Sequence, residues 1–260
     1  MVGHVAWVWL GASVVMAFLW WLQRRLGDAG IVDVAWSAGL GIAALYYAFI
    51  GEGEPVRRVF LALLAGGWAF RLAAYLLRDR ILSGVEDGRY QDLKAEWGDR
   101  AQRNLFWFFE FQALLVAAFS LPWLPVAYRG DPWGHWSDWL ALLIGGIAVA
   151  GETLADRQLA AFRRDPRNRG QVCRSGLWRY SRHPNYFFEW VHWWTYVFLA
   201  WGAPMGWLSL LGPALMLLFL FRITGIPATE ARALRSRGEA YRRYQETTSA
   251  FFPWFPKEDA

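Results

Sequence analysis

Long apolar runs alternate along this chain with short charged intervals, and that alternation predicts its elements. Runs of close to twenty residues recur at roughly 4–22, 32–50, 57–77, 106–127, 138–155, 186–201 and 206–222. About 20 residues of helix, rising ~1.5 Å each, cross the ~30 Å hydrocarbon core of a bilayer. Hydrocarbon offers no water to backbone N–H and C=O groups, so such runs satisfy themselves as helices. The expectation is an all-α protein, a polytopic membrane helix bundle with about seven transmembrane helices. Low-complexity tracts, repeats and disordered linkers are absent, so residues 1–260 read as a single integral membrane domain.

Composition strengthens the membrane reading. Hydrophobic residues make up 56% of the chain and tryptophan occurs 19 times. Trp7, Trp9, Trp20, Trp21, Trp123, Trp133, Trp136, Trp139, Trp201 and Trp207 fall near span ends, where interfacial rings belong. Seven spans also set the sidedness of every interval. With the N-terminus outside, the intervals 23–31, 78–105, 156–185 and 222–260 are cytoplasmic and hold 23 of the 27 Lys and Arg residues. The opposite intervals hold Arg57, Arg58 and Arg129, and Arg71 lies within a span. Cytoplasmic enrichment of basic residues orients helices in an inner membrane. The expected location is therefore the bacterial inner membrane, multi-pass, with the C-terminus in the cytoplasm. The first span begins almost at Met1 without a basic leader, which predicts a retained helix and not a signal peptide. A net charge of +5 beside membrane helices is explained by orientation and by anionic lipid heads, so membrane lipids are expected partners and nucleic acid is not. The sole cysteine, Cys173, excludes an internal disulfide.

Polar residues at the ends of apolar helices carry the candidate chemistry. Asp33 begins the second span, as an N-cap or dipole partner or as a carboxylate facing a cavity. In the same span Gly39-Leu40-Gly41 loosely imitates a dinucleotide fingerprint, but no strand precedes it, and close helix packing explains the glycines better. Arg71 lies about two turns from the cytoplasmic end of the third span, with Tyr75 one turn on along the same face. Its guanidinium needs an anion, supplied by Asp33, by Glu110 or by a ligand. Glu152 and Asp156, four apart, share a helical face and repel unless cations or donors lie between them. The four histidines show no ligand spacing, and no metal is expected. A nucleophile elbow is absent too. The densest cluster runs from Gly176 to Glu189, where Arg179, Arg182, His183, Asn185, Tyr186 and Glu189 approach a Trp-rich helix. Such groups are costly in a membrane without partners, and an anionic ligand would supply one.

Between Tyr180 and Glu189 the chain resembles the C-terminal half of the steroid 5α-reductase family, in its bacterial DUF1295 branch of membrane proteins. Glu152-x-x-x-Asp156-x-Gln158 precedes this motif. The tail Gly225-Ile226-Pro227-Ala228-Thr229-Glu230 follows, leading to Gly238-x-x-Tyr241-x-x-Tyr244-Gln245 and Thr248-Ser249-Ala250-Phe251-Phe252-Pro253-Trp254. Asp33-x-x-Trp36 also fits the branch. The resemblance implies a seven-helix membrane reductase that takes NADPH from the cytoplasm and delivers hydride to an activated C=C of a lipid-like substrate. It implies a cofactor-binding half at approximately 150–256. Asn185 and Glu189 would meet the nicotinamide end, with Arg182, His183 and Tyr186 beside them. Arg71, Tyr75 and Asp79 match cofactor-lining positions in the third helix. Asp156, Gln158, Arg179, Glu230, Tyr241 and Tyr244 complete the expected cofactor set, while Asp33 and Tyr75 are the candidates for catalysis. Trp68 departs from the family, whose animal enzymes place there the tyrosine that polarises the substrate ketone. An alternative is an S-adenosylmethionine-dependent membrane methyltransferase of the isoprenylcysteine or phospholipid type. That group shares Arg-His-Pro-x-Tyr and a late Glu…Gly-x-x-Tyr-x-x-Tyr, but usually carries a glycine where this chain has Phe187-Phe188.

Overall fold

A computed structural model describes residues 2–82, 84, 86–223 and 225–257. Among these the chain is helical, with no strand. Six helical stretches are long and apolar enough to cross a membrane: Gly3–Leu26, Ile31–Ile50, Pro55–Ile81, Gly88–Tyr128, Trp136–Arg164 and Gly206–Arg237. The protein is a polytopic membrane helix bundle whose apolar faces meet lipid. The span expected at 186–201 is a helix of 16 residues, Pro184–Leu199. At 1.5 Å per residue it reaches about 24 Å, short of a full hydrocarbon core.

The chain forms two compact units. One runs from the N-terminus to Trp133 and includes Ala200–Ser209; the other comprises Gly134–Leu199 and Leu210 to the C-terminal tail. In the first unit, α1 (Val2–Leu26) packs along α5 (Ala101–Ser120), and α2 (Ile31–Ile50) lies against both α5 and α3 (Pro55–Ile81). α4 (Gly88–Trp97) precedes α5, and the short α6 (Leu124–Tyr128) follows it. Met16, Val32, Tyr90, Leu105, Phe109 and Ala113 form a buried core there. Gly41 shows why the α2 glycines are present: a Cβ at this position would stand 2.8 Å from the Phe70 ring of α3. That is close helix packing, as the sequence implied. Polar cross-links run between the helices, from Ser13 to Glu110 (2.5 Å), Trp20 to the Gln102 carbonyl (2.9 Å) and His4 to Tyr46 (2.8 Å). Glu54 and Pro55 start α3, the Glu54 side chain accepting from the Arg57 amide. Arg58 donates to the Ala48 carbonyl of α2 and to that of Gly51, which caps the helix.

In the second unit, α7 (Trp136–Arg164) and α8 (Pro184–Leu199) pack side by side. α9 (Leu211–Leu218) lies on α8, and α10 (Ile226–Arg237) and α11 (Glu239–Thr247) follow as a bent pair. A capping box opens α7: the Asp138 carboxylate accepts from the Gly134 and His135 amides at 3.0 Å each. α7 continues nine residues past the predicted apolar stretch and ends on Arg163 and Arg164, which suit the negative end of its dipole.

Candidate functional site

The Gly176–Glu189 cluster is built upward from a tight turn. Gly176 has φ +58°, and a Cβ there would lie 2.4 Å from the Gln158 amide, so glycine alone fits. The space it leaves lets Gln158 Oε1 accept from the Leu177 amide at 2.9 Å. Trp178 Nε1 then donates to the Ala155 carbonyl of α7 at 2.9 Å. Ser181 donates to the Phe251 carbonyl (2.9 Å) and accepts from the His183 amide (3.1 Å). Tyr244, buried, donates to the carbonyls of Trp178 and Ser181. The loop before α8 is thereby fastened to α7 on one side and to the C-terminal tail on the other.

At its centre stands Glu230, on α10. Arg182 Nε donates to Glu230 Oε1 at 2.7 Å, His183 Nε2 lies 3.2 Å from the same oxygen, and Gln245 Nε2 donates to Oε2 at 2.7 Å. The Tyr241 hydroxyl sits at 3.5 Å, the outer limit of a hydrogen bond. Burial, and then the Glu230 carboxylate, push the Tyr241 phenol up, so it stays a donor. Arg182 also donates from Nη1 to the carbonyls of Gln245 (2.8 Å) and Thr248 (2.6 Å). Arg182, His183, Glu230, Tyr241 and Tyr244 therefore come together as a latch joining the motif to the tail.

Asn185, Tyr186 and Glu189 continue along α8 from this latch. Asn185 Nδ2 donates to Asp156 Oδ1 of α7 at 3.3 Å. Tyr186 stacks on His183 with ring centroids 5.3 Å apart and meets the Thr229 hydroxyl at 3.3 Å. One turn along each helix from the Asn185–Asp156 contact stand Glu189 and Glu152. Arg179 and Gln158 flank the cluster, Gln158 holding the turn and Arg179 exposed.

The remaining candidates belong to the first unit. Asp33 is not the N-cap of α2, a place taken by Gly30. Its carboxylate accepts from Arg80 (2.6 Å), Arg89 (3.0 Å) and the Tyr90 hydroxyl (2.8 Å). Asp87 shares both arginines, and Lys94 pairs with Glu86 at 2.7 Å. Burial pushes the Asp87 carboxyl up, but hydrogen bonds from Arg89 and the charges of Arg89 and Arg80 together outweigh it and hold the group below its usual range. The acid offered to Arg71 as an ion-pair partner thus belongs to Arg80 and Arg89, and Glu110 takes the Ser13 hydroxyl. Arg71, Tyr75 and Asp79 lie on exposed surface of α3, whereas Trp68 is buried. No group of three or more His, Cys, Asp or Glu side chains suited to a metal ion occurs among the described residues.

Sequence reasoning passed over Gln245 as a ligand of Glu230, although it ends the Gly-x-x-Tyr-x-x-Tyr-Gln motif. It also passed over Asp131, which accepts from buried Arg57 (3.2 Å) and Arg129 (2.7 Å) beyond α6. Nothing in the local pattern around Asp131 marks it.

No solved structure matches this chain. An uncharacterized protein of Schizosaccharomyces pombe is 26% identical over 271 residues, covering 90% of this chain and 75% of the relative. A family model described as a protein of unknown function, DUF1295, matches residues 19–248, nearly the whole region in which the helices and the latch are built. The chain belongs to the DUF1295 family.

Proposed function

We propose that this protein is a membrane-embedded reductase that takes NADPH from the cytoplasmic side and reduces an activated C=C of a lipid-like substrate in a bacterial inner membrane. The observation that carries the reading is the division of labour within the motif. Arg182 and His183 are engaged by Glu230 and by tail carbonyls, which makes them scaffold. Asn185 of α8, bonded to Asp156 of α7 and one turn from Glu189, places a carboxamide beside carboxylates of both helices. The neutral carboxamide both donates and accepts, and the carboxylates accept, as the amide of a nicotinamide ring requires. NADPH would supply the hydride; the task of Asn185, Tyr186 and Glu189 is to hold and orient the ring beside an apolar, water-poor surface. Substrate arriving through the bilayer suits a protein whose helices present apolar faces to lipid.

One observation favours a second reading, an S-adenosylmethionine-dependent methyltransferase. Arg182-His183-Pro184-x-Tyr186 and the late Glu230, Gly238-x-x-Tyr241-x-x-Tyr244 are shared with such enzymes, and here they assemble into one latch. Melting in detergent separates the two. A ligand that binds only the folded state stabilises it by about 2.7 kcal/mol at a hundred times its Kd. NADPH is expected to raise the melting temperature of the wild type, and Asn185→Ala or Glu189→Ala is expected to remove that rise with expression unchanged. Stabilisation by S-adenosylmethionine alone overturns the reductase. An NADPH response intact in both variants removes the α8 motif from the site.

A further inference from the structure

The tail that closes the latch also walls a second feature. A cleft of about 590 Å³ is lined by Arg174 and Arg179 from the loop before α8, Thr247 and Thr248 at the end of α11, and Phe255 and Lys257 beyond it. None of its lining side chains is a carboxylate, and among the described residues Arg174, Arg179 and Lys257 make no ion pair. Three cations around one concavity repel each other unless an anion lies between them. The backbone that carries these cations is fixed on two sides of the cleft. The Trp254 amide donates to the Tyr180 carbonyl (2.9 Å) and the Lys257 amide to the Thr247 carbonyl (2.8 Å), tying the tail to the loop and to α11. The Arg174 guanidinium is held 5.4 Å over the Tyr244 ring, and Tyr244 is itself fixed in the latch. The cleft is therefore preorganised, and its volume falls within the ~300–1,000 Å³ of small-molecule sites.

We propose that this cleft is a phosphate-binding site for a phosphate ester, carried by a nucleotide or by a lipid head. Guanidinium forks bind phosphate oxygens in pairs, and an ammonium adds a point charge. The Phe255 ring, edge-on to Tyr180 at 5.9 Å and 76% exposed, offers a face on which a base stacks, which favours the nucleotide source. In its nucleotide arm the site would take the phosphorylated end of the cofactor in the reductase reading; the phosphate chemistry itself stands without that reading.

Equilibrium binding to the purified full-length protein in neutral detergent tests this, with 2′,5′-ADP, adenosine and phosphatidylglycerol as probes. The wild type is expected to bind 2′,5′-ADP with an affinity that falls as salt rises, and to ignore adenosine. The double variant Arg179→Gln/Lys257→Gln alters two exposed side chains outside the latch, and is expected to lose at least tenfold in affinity at an unchanged melting temperature. Lys257→Arg alone is expected to retain binding, and Phe255→Ala to weaken the nucleotide but not the lipid. Phosphatidylglycerol binding lost in the double variant, with no response to 2′,5′-ADP, supports the site and assigns it to lipid. Equal affinities in wild type and double variant, or no binding of either phosphate probe, overturns it. Asn185→Ala separates the two readings: NADPH response lost there, with 2′,5′-ADP binding untouched by Arg179→Gln/Lys257→Gln, sinks the cleft and keeps the reductase.

Discussion

At Glu230 one carboxylate receives a guanidinium, an amide and an imidazole nitrogen, and two of those groups come from adjacent motif residues. Arg182 and Glu230 are 10% and 13% exposed, so removing one partner strands a nearly buried charge. Breaking such a pair costs roughly 3 kcal/mol, or about 6–12 °C in melting temperature. Glu230→Gln is expected to show that loss, and so is Arg182→Gln. The double variant is expected to lose much less than the sum, because each single change has already removed the shared interaction. Melting curves giving additive losses would refute the latch. The residue types of this site were legible in sequence, since charge beside an apolar helix stands out. Their pairings were not. Arg182 and Glu230 are 48 positions apart, and spacing alone did not tell a scaffold arginine from a ligand arginine.

Helices were the most legible elements, and their ends the least. α3 was expected to stop near 77 and runs on to Ile81; α7 was expected to stop near 155 and runs to Arg164. Apolarity marks the bilayer's edge, but Leu, Arg, Ala and Gln continue a helix into water just as well. The α3–α6 end of the first unit has its own polar lock, Asp131 between Arg57 and Arg129. Hydrogen bonds from Arg129, and then the charges of Arg129 and Arg57, hold the Asp131 carboxyl below its ordinary range. A depressed folded-state pKa stabilises the fold above the unfolded value of ~4 and loses that contribution as pH falls through the folded one. Wild-type melting temperature is therefore expected to drop below about pH 4. Asp131→Asn is expected to melt lower at pH 7 and to show a shallower acid limb, a difference read from melting curves at both pH values.

On the scale of the whole molecule, the distribution of Lys and Arg orients the bundle. With 23 of 27 basic residues in the intervals assigned to the cytoplasm, the C-terminal tail and its basic cleft are expected to face that side. A fluorescent-protein fusion at Ala260 is expected to glow in a bacterial host, and an alkaline phosphatase fusion there to be inactive. The opposite pair of results would reverse the topology and remove the cleft from the compartment that holds soluble nucleotides.

Sequence by itself determined the membrane, the helices and the family, because each of these is written in short-range patterns: hydropathy over about twenty residues, charge beside span ends, and motifs of fixed spacing. Only the tertiary structure decided what the polar residues do. It joined Asp33 to Arg80 and Arg89, turned Arg182 and His183 into partners of Glu230, and gathered Arg174, Arg179 and Lys257 around one cleft. The physical reason is that a charge near a bilayer is settled by its counter-charge, and the counter-charge is brought from far along the chain by helix packing.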